Sequence, residues 1–311
     1  MLNGVRIRNK GVKDVSSKIK DSKSDKRFGY VVNTILVIVL LLSAYPIIYV
    51  ISSSLSSPDA VTSGKVWLWP VDFSLEGYKA VFENNKVVIG YANTIFYTLV
   101  GTTFNVLMTI AAAYPLSRKD MPGRNFFMFM FAFTMIFSGG LIPNYLLNQS
   151  LGLINTRWVM IIPGAIGVWN LIITRTYFES TIPAEVHEAA KIDGCNDLEF
   201  LFKIVLPLSK PIIAVLVLFY AVGHWNAFFD AFIYLKDADK MPLQVVLRDI
   251  LIMNQVDPSA IVDSSTAAAK TGLTDLLKYS LIIVASLPIW CVYPFIQKYF
   301  VKGIMVGAIK G

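Results

Sequence analysis

The sequence has few of the residues from which enzyme sites are usually built. It contains two cysteines and two histidines in 311 residues, and none of them is spaced as in a CxxC pair or a metal site. The motifs GxxxxGK[ST], GxSxG and HExxH are missing from the chain. These absences exclude a disulfide framework, a histidine-based metal centre, a phosphate-binding ATPase loop and two common hydrolase motifs. No metal and no cofactor is expected in this chain.

Charged residues are also scarce, at 16% of the chain, whereas hydrophobic residues make up 55%. Soluble domains carry about 25% charged residues, so this composition predicts a membrane protein. The net charge is +7, and residues 1–27 alone hold nine basic and three acidic residues. No aromatic residue is interleaved with these charges before Phe28. The segment is therefore expected to be a basic cytoplasmic arm beside a membrane span, and not a nucleic-acid site.

Six apolar runs predict an all-α membrane protein with six transmembrane helices. The predicted spans lie at about residues 28–51, 89–116, 126–147, 158–175, 204–232 and 279–300, within a permease domain at 28–300. Glycines and prolines interrupt the end of the third span and the middle of the fourth.

The basic residues set the expected orientation. Both termini, the loop at 178–207 (the central loop) and the tail at 301–311 are assigned to the cytoplasm, because this choice places 19 of the 28 lysines and arginines inside. An outer loop is expected at 230–278. It contains a predicted amphipathic helix in which Leu243, Val246, Leu247, Ile250 and Leu251 share one face.

The central loop is predicted to form a helix, a turn and a second helix. Ser180 or Thr181 is expected to cap the first helix, and Gly194 to end it in a left-handed conformation. Asn196 or Asp197 is expected to cap the second. Each helix is expected to have one apolar face, formed by Val186, Ala189 and Ala190 in the first and by Leu198, Leu201, Phe202 and Val205 in the second.

The spacing within this loop resembles the EAA signature of ABC importer permeases: EAA, three residues, G, nine residues, then I-x-L-P. The matching residues are Glu188, Ala189, Ala190, Gly194, Ile204, Leu206 and Pro207. The resemblance implies the type I permease fold and a coupling helix, at Glu185 to Gly194, that docks on a separate ATPase subunit. Glu185, Asp193 and the matching residues would then couple to the ATPase, with Glu188 making a charge-assisted contact. An ordinary amphipathic hairpin is the alternative.

The C-terminal tail, from Gln297 to Gly311, resembles MalG-like carbohydrate permeases of the LplC and YtcP branch. The resemblance implies a tail contact with the ATPase through Lys302, Gly303, Gly307 and Lys310. It also implies a bacterial cell membrane location and a heterodimer with a second permease. Two ATPase subunits that bind ATP and Mg, an extracytoplasmic solute-binding lipoprotein and a carbohydrate complete the implied partners. A disordered tail is the alternative.

Polar side chains inside the predicted spans are candidates for the solute path, because they are costly unless they face the bundle interior or water. They are Asn93, Asn105, Asn144, Asn170, His224, Trp225 and Asn226. Amides beside aromatic rings suit the hydroxyls and faces of sugars, although interhelical hydrogen bonds are the alternative role for each residue. No carboxylate and no strong basic cluster is expected inside a span, which argues against charged amino acids or phosphate as cargo.

The sequence therefore predicts a non-catalytic permease subunit of an ATP-driven, binding-protein-dependent importer, with oligosaccharides from complex polysaccharides as the expected cargo. One alternative is an ion-coupled secondary carrier, which should show ionisable residues inside spans and usually repeated halves. Another is an ABC permease for a non-sugar solute. A membrane enzyme is a third, for which no catalytic constellation is present.

Overall fold

The computed structural model describes residues 22–253, 272 and 274–294, and within these ranges all regular secondary structure is helical. The predicted all-α class is thus confirmed. The α-helices are α1 (Lys23–Ser54), α2 (Pro58–Thr62), α3 (Glu76–Glu83), α4 (Asn85–Ser117), α5 (Arg124–Ile136), α6 (Leu141–Ser150), α7 (Val168–Thr181), α8 (Ala184–Ile192), α9 (Asp197–Leu208), α10 (Lys210–Trp225), α11 (Phe229–Tyr234), α12 (Leu243–Met253) and α13 (Thr274–Pro294). The chain divides into two units at Ile48 and Tyr49.

Three of the described helices, α1, α4 and α13, are long and apolar enough to cross a membrane. The pairs α5–α6 and α9–α10 bring the number to five if each bent pair is one span, with bends of 117° and 83°. The predicted total of six spans stays a prediction. The first unit contains α1 as far as Ile48, and its apolar side chains, such as Leu40 and Leu42, are exposed.

The fourth predicted span differs from the structure. Its α-helix begins at Val168 and runs on to Thr181, beyond the predicted end at residue 175, while residues 161–167 are not helical. The reason is that side chains satisfy this stretch of backbone. Asn105 Nδ2 donates to the carbonyl oxygens of Gly164 (2.6 Å) and Ala165 (3.0 Å), so these groups need no helical partner.

The fifth predicted span is also divided. The structure breaks it at Ser209, between α9 and α10, and α10 ends at Trp225. Pro207 and Pro211 flank the break, and each lacks the backbone N–H that a continuous helix would use. The rest of the predicted span lies in a separate short helix, α11.

Helix α4 is the centre of the second unit and packs against α7, α10 and α12. The largest buried cluster lies where α4, α7 and α10 meet, and includes Val106, Ala113, Leu171, Phe178, Ile212 and Leu216. The same cluster contains Ala190, Phe200, Leu201 and Val205 of the central loop. The central loop is therefore rooted in the core of the bundle.

The predicted helix in the outer loop is present as α12. Leu243 and Val246 are buried against Val87 of α4 and Leu281 of α13. The backbone N–H of Leu243 donates to Thr94 Oγ1 at 2.8 Å. Arg248 of the same helix lies over the ring of Phe232 of α11, at 4.5 Å from the ring centre. The helix is thus docked on the bundle by its predicted apolar face.

Candidate functional site

The first helix of the central loop, α8, ends as the sequence predicted. Gly194 has a φ of +78°, and its backbone N–H donates to the carbonyl oxygen of Lys191 at 3.0 Å. The next N–H, from Cys195, donates to Ala190 O at 2.9 Å. A side chain at Gly194 would be strained because L residues rarely adopt this conformation.

The predicted caps of this helix are wrong. Ser180 and Thr181 lie in the last turn of α7, and Ser180 Oγ donates to Tyr177 O within that helix. Pro183 takes the position before α8, without a side-chain cap. The error arose because α7 runs further than its apolar pattern indicates.

The second helix, α9, is capped by Asn196. Asn196 Oδ1 accepts from the Glu199 backbone N–H (2.9 Å), and Glu199 Oε2 accepts from the Asn196 N–H (3.3 Å). This reciprocal pair is a capping box. The backbone hydrogen bond from Asn196, together with Lys203, lowers the pKa of the Glu199 carboxyl. Of the two predicted caps, the structure thus has Asn196.

The apolar residues of the central loop form two sets, and not the predicted single faces. Ala190, Leu201 and Val205 are buried, whereas Val186 and Ala189 are exposed. The exposed fractions of Ile192, Leu198 and Phe202 are 86%, 68% and 64%. One set holds the loop on the bundle, while the other is free to contact another surface. Large apolar side chains exposed together are typical of interaction sites.

The EAA residues are distributed over both sets. Glu185, Glu188, Ala189 and Asp193 are exposed, and Ala190 is buried. Within the described ranges, neither Glu185 nor Glu188 has an ion-pair or hydrogen-bond partner. Ile204 and Leu206 pack against the core cluster, and Pro207 is exposed. The four predicted tail contacts, Lys302, Gly303, Gly307 and Lys310, lie outside the described residues.

Arg118 joins the end of α4 to both helices of the central loop. Its Nε and Nη2 donate to the two oxygens of Asp120 at 2.9 and 2.6 Å, and its Nη1 donates to Asp197 Oδ1 at 3.2 Å. Nη1 also donates to His187 Nε2. These four residues are named the Arg118 cluster.

The electrostatics of the Arg118 cluster follow from this geometry. The hydrogen bonds from Arg118 lower the pKa of Asp120 to about 2. Sequence reasoning counted Arg118 only as a cytoplasmic positive charge. Its contacts to His187 and Asp197 cross 69 and 79 residues of chain, and no local pattern indicates them.

A second ion-pair group lies at the same end of the bundle. Glu179 pairs with Arg124 at 3.3 Å and with Arg175 at 3.0 Å. Arg175 Nε also donates to the carbonyl oxygen of Leu116 at 3.1 Å. Helices α4, α5 and α7 are thus tied together beside the central loop. A cleft of about 630 Å³ separates the two groups and is lined by Arg118, Asp120, Glu179, Glu185, Glu188 and Lys191.

A cavity of about 530 Å³ lies between α4, α6, α10, α11 and the segment 159–164. Its polar lining residues are Asn105, Asn144, Asn148, Tyr220, His224 and Asp230, and its aromatic lining includes Phe219 and Tyr234.

Part of this lining is fixed by internal hydrogen bonds. Both amide hydrogens of Asn105 go to backbone carbonyls, so its Oδ1 accepts from His224 Nε2 at 2.6 Å. Gly101 makes room for this pair, since a Cβ there would lie 2.4 Å from His224 Nε2. The Tyr220 hydroxyl accepts from the Gly167 N–H at 2.9 Å and bonds to Thr109 Oγ1 at 2.7 Å.

Three of the predicted solute-path residues, Asn105, Asn144 and His224, line this cavity. The others do not. Asn93 is buried, accepts from Arg157 and donates to Asp239 O and Met241 O. Trp225 Nε1 donates to Ala285 O, and Asn226 Nδ2 donates to Val222 O. Asn170 lies near the start of α7 and is not among the lining residues.

Two lining residues were missed by sequence reasoning. Asn148 is the second amide of α6 that reaches the cavity. Asp230 lies within both the predicted fifth span and the predicted outer loop, and it was not among the candidates for the solute path. The residue was overlooked because it stands near the end of that span, and the structure moves it into α11 at the cavity.

Comparisons with known proteins agree with this architecture. The sequence profile of the family "Binding-protein-dependent transport system inner membrane component" matches residues 87–306. The chain is 42% identical over 290 residues to the Polygalacturonan/rhamnogalacturonan transport system permease protein YtcP of Bacillus subtilis (strain 168), covering 92% of this chain and 99% of that one. It is 41% identical to Protein LplC of the same organism over 266 residues, which covers 86% and 89% of the two chains.

A solved structure is also similar. It is a chain from the crystal structure of a bacterial ABC transporter involved in the import of the acidic polysaccharide alginate. The TM-score is 0.83 at 39% identity, and the match covers 90% of this chain and 99% of that chain. The fold is therefore the type I ABC permease fold. Such permeases are non-catalytic, multi-pass membrane components that work with a partner permease, an ATPase and a substrate-binding protein. The chain belongs to the family of binding-protein-dependent transport system inner membrane components.

Proposed function

We propose that this chain is one of two different permease subunits of a bacterial importer that takes up oligosaccharides released from complex polysaccharides. The relatives support the cargo class: YtcP is named for polygalacturonan and rhamnogalacturonan, and the similar structure belongs to an alginate importer. Two ATPase subunits that bind ATP and Mg, and an extracytoplasmic solute-binding lipoprotein, complete the assembly. Six spans with cytoplasmic termini place the central loop on the ATPase side.

The observation that carries this proposal is the structure of the central loop. Its EAA spacing is complete, it is rooted in the bundle core through Ala190, Leu201 and Val205, and it exposes Ile192, Leu198 and Phe202. Glu185 and Glu188 add exposed carboxylates. A surface with apolar anchors and acidic residues fits a cleft that is apolar at its centre and basic at its rim.

The same geometry explains how movement passes to the bundle. ATP binding brings two ATPase subunits together and draws the docked loops with them. Because Arg118 ties the loop to the end of α4, and Phe200 and Val205 pack in the core, the loop cannot swing freely. Its displacement therefore moves α4 and its neighbours as a body, which is the rigid-body type of transition.

The test is reconstitution of the whole importer in proteoliposomes with its candidate partners. We expect a saccharide-loaded binding protein to stimulate ATP hydrolysis, and Glu188→Ala to reduce this stimulation by about 10-fold or more. Hydrogen bonds to charged groups contribute roughly 1.5–3 kcal/mol, which corresponds to a factor of this size. Glu83→Ala is the matched control, because Glu83 is an exposed carboxylate of a predicted outer loop, away from the central loop, and pairs with Lys79.

Two results would contradict the proposal. In the first, no saccharide stimulates ATP hydrolysis in the complete assembly. In the second, the Glu188 and Glu83 variants are stimulated equally.

A further inference from the structure

The cavity contains polar side chains that the protein itself does not satisfy. His224, Asn105 and Tyr220 are held by internal hydrogen bonds. In the part of the chain that the structure describes, the side chains of Asn148 and Asp230 have no hydrogen-bond or ion-pair partner. Only 5% of Asn148 is exposed. The amide atoms of Asn148 line the cavity with their hydrogen-bonding capacity unused, so a ligand hydroxyl can bind there.

The lining has the chemistry that a polyhydroxyl compound requires. A carboxylate accepts hydrogen bonds from hydroxyls, and an amide both accepts and donates. Asp230, Asn144 and Asn148 supply these groups, while Tyr234 and Phe219 supply apolar ring surface. Tyr234 is held in place by stacking on Tyr145, with ring centres 6.1 Å apart. A volume of about 530 Å³ lies in the range of roughly 300–1,000 Å³ that is typical of small-molecule sites.

The charge of the lining distinguishes between two kinds of saccharide. Within the described ranges, no lysine or arginine lines the cavity, and its one acidic side chain is Asp230. A uronate would bring a second carboxylate close to Asp230, and no cation of the described lining neutralises either group, so the two like charges repel. A neutral sugar unit would meet only hydrogen-bonding groups and ring faces.

We propose that this cavity is a saccharide subsite that accepts neutral sugar units and rejects uronates, with Asp230 as the hydroxyl acceptor that makes the distinction. The inference rests on the proposed function and narrows it. It sets this chain apart from the similar importer structure, which is named for an acidic polysaccharide. Asn148 and Asn144 bind further hydroxyls, and the His224–Asn105 pair keeps the wall in shape.

The experiment uses the complete importer in proteoliposomes, with two probes of equal length: a neutral galactotetraose and a tetragalacturonate. Uptake is measured for the wild type and for Asp230→Asn. We expect the wild type to take up the neutral probe, and Asp230→Asn to lower kcat/KM for its uptake by about 10-fold, as expected when a charged acceptor is lost. Asp249→Asn is the matched control, since Asp249 lies on α12 and is not a cavity-lining residue.

Asn148→Ala provides a second variant with the same readout, and it decides the matter if Asp230→Asn does not assemble with its partners. We expect a loss of uptake of several-fold. A wild type that takes up the uronate in preference to the neutral probe overturns the neutral subsite and leaves the proposed function intact. The neutral subsite is also overturned if the Asp230 and Asn148 variants take up the neutral probe at the same rate as the Asp249→Asn control. If neither probe nor any other saccharide stimulates ATP hydrolysis, the proposed function fails, and the subsite fails with it.

Discussion

The polar groups that support the end of the bundle carrying the central loop differ from the polar groups that face the cavity between α4, α6, α10 and α11. At the central loop, Arg118 and Glu179 each bind two or more partners across separate helices. In the cavity, Asp230 and Asn148 have no partner among the described residues. Paired groups hold helices in one arrangement, whereas unpaired groups keep their capacity for a ligand. In this protein, unpaired polar side chains therefore mark the surfaces available for binding, whereas paired polar side chains mark the contacts that hold helices together.

Helices α4 and α10 connect the two regions. Helix α4 supplies Asn105 to the cavity lining, and it leads at its other end to Arg118. Helix α10 supplies Tyr220 and His224 to the cavity and begins directly after α9 of the central loop. A displacement at the loop therefore reaches the cavity wall through the same two helices.

The largest effect is expected from Gly101→Ala, which should break the hydrogen bond between His224 and Asn105 in the cavity wall. A Cβ would lie 2.4–2.8 Å from three atoms of the His224 ring, so the ring must leave Asn105. Overpacking and the lost hydrogen bond together cost about 2–4 kcal/mol of unfolding free energy. Gly29→Ala is the control: nothing lies within 4 Å of it, and alanine stabilises a helix by about 1 kcal/mol relative to glycine. Thermal unfolding of the purified chain measures both, and equal midpoints would contradict the prediction.

Arg118→Ala tests the paired groups that hold the central loop to the end of α4. We expect a modest loss of about 1–2 kcal/mol in unfolding free energy, because Asp120 and Asp197 are largely exposed and their pairs are screened by solvent. We expect a larger loss, of several-fold, in binding-protein-stimulated ATP hydrolysis, because the loop is no longer held to α4. Lys119→Ala removes the same charge one residue away and should keep the stimulation. If the Lys119 variant behaves like the Arg118 variant, charge alone explains the effect.

Gly194→Ala separates loop geometry from overall stability. Its positive φ makes alanine unfavourable by about 1 kcal/mol. Gly64, which follows α2, has a similar φ of +66°, and neither glycine has a neighbour within 4 Å. The two alanine variants should therefore lose equal stability, but only Gly194→Ala should reduce stimulated ATP hydrolysis. Equal ATP hydrolysis in the two variants would refute a coupling role for this turn.

The smallest effect concerns pH. Arg118 lowers the pKa of Asp120 from its usual 3.8 to about 2. A lowered carboxyl pKa stabilises the fold above the unfolded pKa, and this contribution is lost as the pH falls through the folded value. Asp120→Asn should thus lower the unfolding midpoint slightly at about pH 6, and the difference from the wild type should shrink as the pH falls through about 2. A difference between wild type and variant that persists at the lower pH would show that the pair is not its source.

Much of the central loop could be predicted from the sequence, because its signals are local. The EAA spacing lies within one continuous segment, residues 188–207, and the Gly194 turn and the Asn196 cap each depend on residues within a few positions. The predicted start of α8 was wrong, because α7 extends to Thr181 and packs in the core through Leu171 and Phe178. The division of the apolar residues into buried and exposed sets was also missed. In each of the two short helices, α8 and α9, both kinds of residue lie within one broad apolar stripe.

The cavity was harder to predict, because its walls come from distant parts of the chain. Asn105 satisfies the carbonyls of Gly164 and Ala165, which turns a predicted span into an irregular segment. Polar residues in spans were recognised, but nothing local distinguishes His224 at the cavity from Asn93 among backbone carbonyls. Asp230 could have been found, since a carboxylate at the end of an apolar run stands out in the sequence.

The most direct test of the account measures ATP hydrolysis and saccharide uptake in the same proteoliposomes for Glu188→Ala and Asp230→Asn. The account predicts that Glu188→Ala lowers both rates together, so that the ATP used per sugar is unchanged. Asp230→Asn should keep the hydrolysis stimulated by the loaded binding protein and lower uptake, so that more ATP is used per sugar. The same ratio in both variants would show that loop and cavity do not have separate roles, and would contradict the account.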